Sequence, residues 1–98
     1  MGSVEEKETL VGTVRVQNEF GLHARPAGQL AREAGAYASQ ILLECGGRQV
    51  DAKSILDILT LAAPRGTELT LRVSGADAPA AFAAISLFFE NHFAAGGS

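Results

Sequence analysis

The stretch ELTLRVSGADAPAAFAAISLFFENHF, Glu68 to Phe93, changes its apolar period partway along and so decides the fold class. Leu69, Leu71 and Val73 alternate with Glu68, Thr70 and Arg72, which is the period of a strand with one buried face. Beyond Gly75 to Pro79 the period lengthens. Phe82, Ile85, Phe89 and Phe93 recur at helical spacing, with Phe88 beside them, and predict a helix with one apolar face. A strand with one wet face, followed by a helix able to cover the other, belongs to a two-layer α+β architecture.

Working outward, the rest of the chain alternates in the same way. Val14 and Val16 alternate with Thr13, Arg15 and Gln17, predicting a first strand that ends near Asn18. Ala27, Leu30, Ala31, Ala34 and Ala38 fall at helical spacing, predicting a helix from His23 with Gly35 as its stop. Ile41 to Glu44 and Arg48 to Val50 flank Gly46-Gly47, a pair suited to the positive φ angles of a two-residue hairpin. Ser54-Ile55-Leu56-Asp57 has the form of a capping box opening a short helix through Leu61, which Pro64 and Gly66 then bound. The predicted order is βαββαβα, an open-faced sandwich with helices on one side of the sheet.

Composition limits what such a domain can do. The chain has 98 residues, 47% of them hydrophobic, enough for one modest core and no second domain. Its net charge of −3, without a basic run, argues against nucleic acid as a partner. Cys45 stands alone, so neither an internal disulfide nor a cysteine metal site can form, and a cytoplasmic location is expected. No apolar run is long enough to span a membrane. Residues 1–9 read as a flexible charged leader, 10–93 as the folded domain and 94–98 as a flexible tail. A monomer without metal or cofactor is expected.

Asn18 to Gly28, NEFGLHARPAG, carries the chemistry. It sets His23 at the mouth of the first predicted helix, where amide N–H groups lack intrahelical partners and the helix dipole adds partial positive charge. An anion is welcome there. Ala24 and Arg25 can offer backbone N–H groups to a phosphate, the Arg25 guanidinium can add charge-assisted bonds, and Pro26 suits a first turn. The same place disfavours a cationic ring, leaving His23 as a neutral nucleophile for phosphorus. By chemistry alone the residues are more simply an unusual N-cap beside a surface arginine, since helix termini often carry such residues without a ligand.

The pattern Asn18-x-x-Gly21-Leu22-His23-Ala24-Arg25-Pro26-Ala27 resembles the phosphohistidine signature of the HPr family, the histidine-containing phosphocarriers of the bacterial phosphoenolpyruvate-dependent sugar phosphotransferase system. Ala52-Lys53-Ser54-Ile55-Leu56 is similar to that family's regulatory serine segment, Gly66-Thr67 precedes the fourth strand as in the family, and the register runs from Gly12 to Phe93. The resemblance implies an antiparallel four-stranded sheet of order 1-4-2-3 under three helices. It implies that His23 accepts a phosphoryl group on Nδ1 from phosphorylated enzyme I and passes it to an enzyme IIA domain, acting as a carrier and not as an enzyme. Asn18, Ala24 and Arg25 would hold the phosphate. Ser54 would be the site of a serine kinase/phosphorylase. Partners would dock on Ile55, Leu56 and Leu59 with Gly28 opposite, inside a cationic rim of Arg32 and Lys53. A nitrogen-branch carrier, or a binding module regulated by phosphorylation without onward transfer, would use the same histidine. Two departures stand out: Asp57 where Gram-positive members usually have glycine, and Ala62 where a glycine often ends the second helix, a change expected to reshape only a turn.

Overall fold

The computed structural model describes residues 8–91. Seven elements follow in order: β1 (Glu8–Arg15), α1 (Ala24–Gly35), β2 (Gln40–Cys45), β3 (Arg48–Asp51), α2 (Ile55–Thr60), β4 (Glu68–Gly75) and α3 (Ala78–Glu90). The strands form one antiparallel sheet in the order β1-β4-β2-β3, as the family resemblance implied. Gly46 and Gly47 take φ of 58° and 83°, the left-handed pair that a tight β2–β3 turn requires. Strand β1 begins inside the expected leader and ends at Arg15, short of Asn18. Val16 leaves the ladder because its backbone pairs instead with Gly66 and Thr67, in the turn before β4.

Alternation sorts the sheet into two faces. Val14, Ile41, Leu43, Leu69, Leu71 and Val73 point into the core, where Ala27, Leu30, Ala34, Ile58, Ala81, Ile85 and Phe89 meet them from the helices. Burying each large apolar side chain there stabilises the fold by roughly 1.5–3 kcal/mol. The opposite face is polar. Arg72 bonds Glu44 across the sheet at 2.9 Å and Arg15 bonds Glu68 at 2.8 Å.

Helix α3 departs in detail from its predicted face. Ala78, Ala81, Ile85 and Phe89 are buried, whereas Phe82 and Phe88 are only partly so; Phe93 and His92 lie outside the described residues. Small residues let the helix approach the sheet, and the Phe82 ring rests where Gly12 has no side chain: a Cβ on Gly12 would lie 2.6 Å from it. Asp77 occupies the N-cap position of α3 without capping it. Its carboxylate accepts the Ala38 and Ser39 amides, each at 2.9 Å, together with the buried Ser39 hydroxyl. These bonds hold the turn after α1 to the start of α3 and keep the Asp77 carboxyl below its ordinary value, the Ser39 hydroxyl bond contributing most. Among the described residues no helix is long and apolar enough to cross a membrane.

Candidate functional site

Helix α1 begins one residue after the predicted start: His23 is its N-cap, with extended backbone (φ −91°, ψ −170°) and no side-chain capping bond. The first turn carries no acidic residue and, among the described residues, nothing accepts the N–H groups of Ala24 and Arg25. Pro26 is buried and contributes no N–H. The helix mouth therefore keeps open donors beside an imidazole.

Backbone contacts from a distant loop hold that mouth in place. Leu22 N–H donates to the Ala63 carbonyl at 3.0 Å, Gly66 N–H to Val16 at 2.8 Å, and Val16 N–H to Thr67 at 2.9 Å. Gly21 has φ 74°, and a Cβ there would sit 2.5 Å from the Ala63 oxygen, so both conformation and space demand glycine. The loop reaches this position through Ala62, which takes φ 48° immediately after α2. Alanine adopts the left-handed conformation itself there, and its N–H closes on the Leu59 carbonyl at 3.1 Å.

The imidazole is half-buried, and its nitrogens differ. Nε2 is buried without a hydrogen-bond partner among the described residues, whereas Nδ1 is not among the buried, unpartnered atoms. Phe20 packs against the ring in a T-shaped contact, centroids 6.1 Å apart at 74°, while remaining 70% exposed. In the sequence Phe20 is a large apolar residue in a turn, outside any strand or helix period, and that is the only local sign of this contact. Arg25 is exposed, and its guanidinium has no partner among the described residues. Asn18 corrects the expectation of a phosphate contact: its side chain is only 2% exposed, turned inward and away from an anion arriving from solvent.

Helix α2 lies beside α1. Ile55 and Leu56 are exposed, at 44% and 76%, Leu59 packs partly against the core, and Ile58 is fully buried. Ile55 Cδ1 would lie 3.8 Å from a Cβ on Gly28, so the two helices adjoin through that glycine. Arg32 is exposed. Lys53 is not a free rim cation: its ammonium donates to the Tyr37 carbonyl at 2.7 Å, just past the end of α1. Ser54 caps α2, its hydroxyl accepting from the Asp57 N–H at 3.2 Å. The reciprocal half of the predicted capping box is missing, because the Asp57 carboxylate accepts from the Asp51 N–H at 3.3 Å and Ser54 N–H donates to the Asp51 carbonyl. Among the described residues no cluster of ligating side chains could hold a metal.

Comparison with known proteins agrees with this geometry. Residues 11–91 match the family described as "PTS HPr component phosphorylation site". The chain is 44% identical over 84 residues to the phosphocarrier protein HPr of Treponema pallidum, covering 86% of this chain and 96% of that protein. It is 41% identical over 78 residues to the HPr of Xylella fastidiosa (strain Temecula1 / ATCC 700964), covering 80% and 88%. A crystal structure of HPr-C-His from Thermoanaerobacter tengcongensis superposes with a TM-score of 0.82 at 34% identity, covering 86% of this chain and 94% of that one. An antiparallel sheet of order 1-4-2-3, three helices on one face, a histidine at the N-cap position of the first helix and a family match across nearly all of the described chain lead to one conclusion: this protein belongs to the HPr family of the phosphotransferase system.

Proposed function

We propose that this chain is a phosphocarrier in which His23 Nδ1 takes a phosphoryl group from phosphorylated enzyme I and yields it to an enzyme IIA domain. The observation that carries this reading is the α1 N-terminus, where an uncapped histidine with its Nε2 buried stands beside two open amide N–H groups. The Nδ1 lone pair attacks phosphorus in line as the donor's N–P bond breaks. The new phosphoryl oxygens then meet the Ala24 and Arg25 amides, with the Arg25 guanidinium as a further donor. Return of the group to an acceptor histidine reverses these steps, so the protein is consumed and regenerated as a substrate instead of turning over as an enzyme.

Docking would use the exposed apolar pair Ile55 and Leu56, with Leu59, at the seam with Gly28, and Arg32 would face acidic groups on the partner. Lys53 contributes there by fixing the α1–α2 junction. We assign the carrier to the cytoplasm as a monomer, with residues 10–93 as its functional domain and Ser54 as the place where a serine kinase/phosphorylase would act.

The test is incubation with phosphoenolpyruvate and enzyme I from the sugar or the nitrogen branch, followed by intact-mass measurement. One acid-labile phosphate is expected, lost in His23→Ala. Arg25→Ala should slow transfer and Arg25→Lys restore only part of the rate, since a point charge replaces a planar fork. Acid-labile phosphate on His23→Ala would overturn the assignment.

A further inference from the structure

Four buried side-chain polar atoms lack a hydrogen-bond partner among the described residues, and three of them lie in one short turn: Asn18 Oδ1, Asn18 Nδ2 and His23 Nε2; the fourth is Gln29 Oε1. A buried amide with neither end satisfied is costly, so its retention calls for a cause. Bulk solvent does not reach it, because Asn18 is 2% exposed. The backbone folds the two side chains into the same turn. Gly21 N–H donates to the Asn18 carbonyl at 3.1 Å, and His23 N–H donates to the Gly21 carbonyl at 3.0 Å. The segment is clamped on both sides, by Val16 to Thr67 before it and by Leu22 to Ala63 within it.

The needs of these atoms are complementary. A neutral imidazole carries one proton, and the nitrogen that holds it is set by the hydrogen bond the ring makes. If Nδ1 is to attack phosphorus, the proton must sit on Nε2, and a buried Nε2–H requires an acceptor. Asn18 Oδ1 is an acceptor, and Asn18 Nδ2 is a donor able to hold the oxygen of an internal water that completes the link. We infer that Asn18 is the positioning residue of His23: one internal water accepts the Nε2–H bond and donates to the Asn18 side-chain amide, and this link fixes the tautomer that leaves Nδ1 free to react. This rests on the phosphocarrier reading above and assigns Asn18 a role other than phosphate contact.

In the transfer step Nδ1 forms the new N–P bond as the donor's bond to phosphorus breaks, while Nε2 keeps its proton throughout. Asn18 thus acts on which nitrogen reacts, and on the rate, without touching phosphate. A merely structural asparagine would affect neither the tautomer nor the choice of nitrogen.

The experiment uses the full chain labelled with 15N on its histidines, and phosphoramidate as a chemical phosphoryl donor that needs no protein partner and leaves as ammonia. Wild type is expected to show His23 as the Nε2–H tautomer and to carry its phosphate on Nδ1. Asn18→Leu, of similar volume, should mix the tautomers, place part of the phosphate on Nε2, and slow transfer from enzyme I about tenfold, the worth of one lost hydrogen bond. Asn18→Asp, which retains an acceptor oxygen, should keep the Nε2–H tautomer. An Nδ1–H tautomer in wild type would overturn the inference without needing any variant to fold. So would an Asn18→Leu protein with unchanged tautomer, site of phosphorylation and rate but a higher melting temperature, the mark of an amide that was simply unsatisfied. Neither result bears on whether His23 is phosphorylated, which the enzyme I assay decides separately.

Discussion

Ala62→Gly should stabilise this protein. Ala62 is the only non-glycine among the described residues with positive φ, at 48°, and it is exposed, so removing its methyl group forfeits no core packing. The left-handed conformation costs an L-residue with a Cβ roughly 1–2 kcal/mol, and glycine's greater freedom in the unfolded chain returns about 0.5–1 kcal/mol of that. The difference leaves a net gain of about 0.5–1 kcal/mol, which in a domain of this size raises the melting temperature by roughly 2–8 °C. Paired urea and thermal unfolding of wild type and Ala62→Gly measures it, with Ala62→Val as the opposite control, since a β-branched residue tolerates positive φ least. The Ala62–Leu59 and Leu22–Ala63 bonds are made by main-chain atoms that neither substitution removes, so the rate of phosphorylation at His23 should follow stability only where unfolding begins to limit it. If Ala62→Gly left the midpoint unchanged or lowered it while Ala62→Val was tolerated, the strain argument would be refuted.

The Asp77 clamp makes stability fall in acid. Its carboxyl is held below the ordinary value of 3.8 by the Ser39 hydroxyl and the Ala38 and Ser39 amides, so its contribution is complete above the unfolded-chain value and disappears as pH falls through the lower native one. Asp77→Asn should therefore flatten the acid limb of a stability-versus-pH curve, and an unchanged limb would remove the clamp from the account. Ser54→Ala, which deletes the cap on α2, should cost about 1 kcal/mol in urea unfolding while leaving chemical phosphorylation of His23 intact. Ser54→Asp caps as well as serine and should keep the fold, yet slow phosphorylation by enzyme I, because a carboxylate then stands beside Ile55 and Leu56; a rate equal to wild type would reduce Ser54 to a helix cap.

What could be read without the structure was local. The alternation of Leu69, Leu71 and Val73, the Gly46-Gly47 turn and the apolar spacing of Leu30 and Ala34 each depend on residues a few positions apart, and each predicted element exists. The misreadings involve polar groups whose partners are remote in sequence. Asp77 read as part of a helix start, but its acceptors' partners lie on the turn after α1. Lys53 was expected in a cationic rim, but its ammonium donates to the Tyr37 carbonyl. Asn18 was expected to contact phosphate; its burial depends on the loop from Ala63 to Thr67 closing on Val16 and Leu22, which no local pattern reveals. Apolar periodicity says which face is inward, whereas a hydrogen bond needs a partner's position.

The two helix N-termini near the site show why one histidine and one serine in the same small domain face different chemistry. At α1 the cap is His23, whose side chain makes no capping bond, so the Ala24 and Arg25 amides remain available and no carboxylate competes for them. At α2 the cap is Ser54, whose hydroxyl already occupies the Asp57 N–H, and the Asp57 and Asp51 carboxylates stand close by, held by the Asp51 and Lys53 amides. A phosphoryl group arriving on His23 gains open donors. One arriving on Ser54 gives up a capping geometry and meets acidic neighbours, so its electrostatic effect is directed outward, across the apolar pair Ile55 and Leu56, toward whatever docks there. A glycine at position 57 would remove one of those carboxylates and lessen the repulsion. Asp57→Gly should therefore make Ser54 a better kinase substrate while weakening α2 through a less favourable helix residue, and a kinase assay paired with urea unfolding separates those two effects.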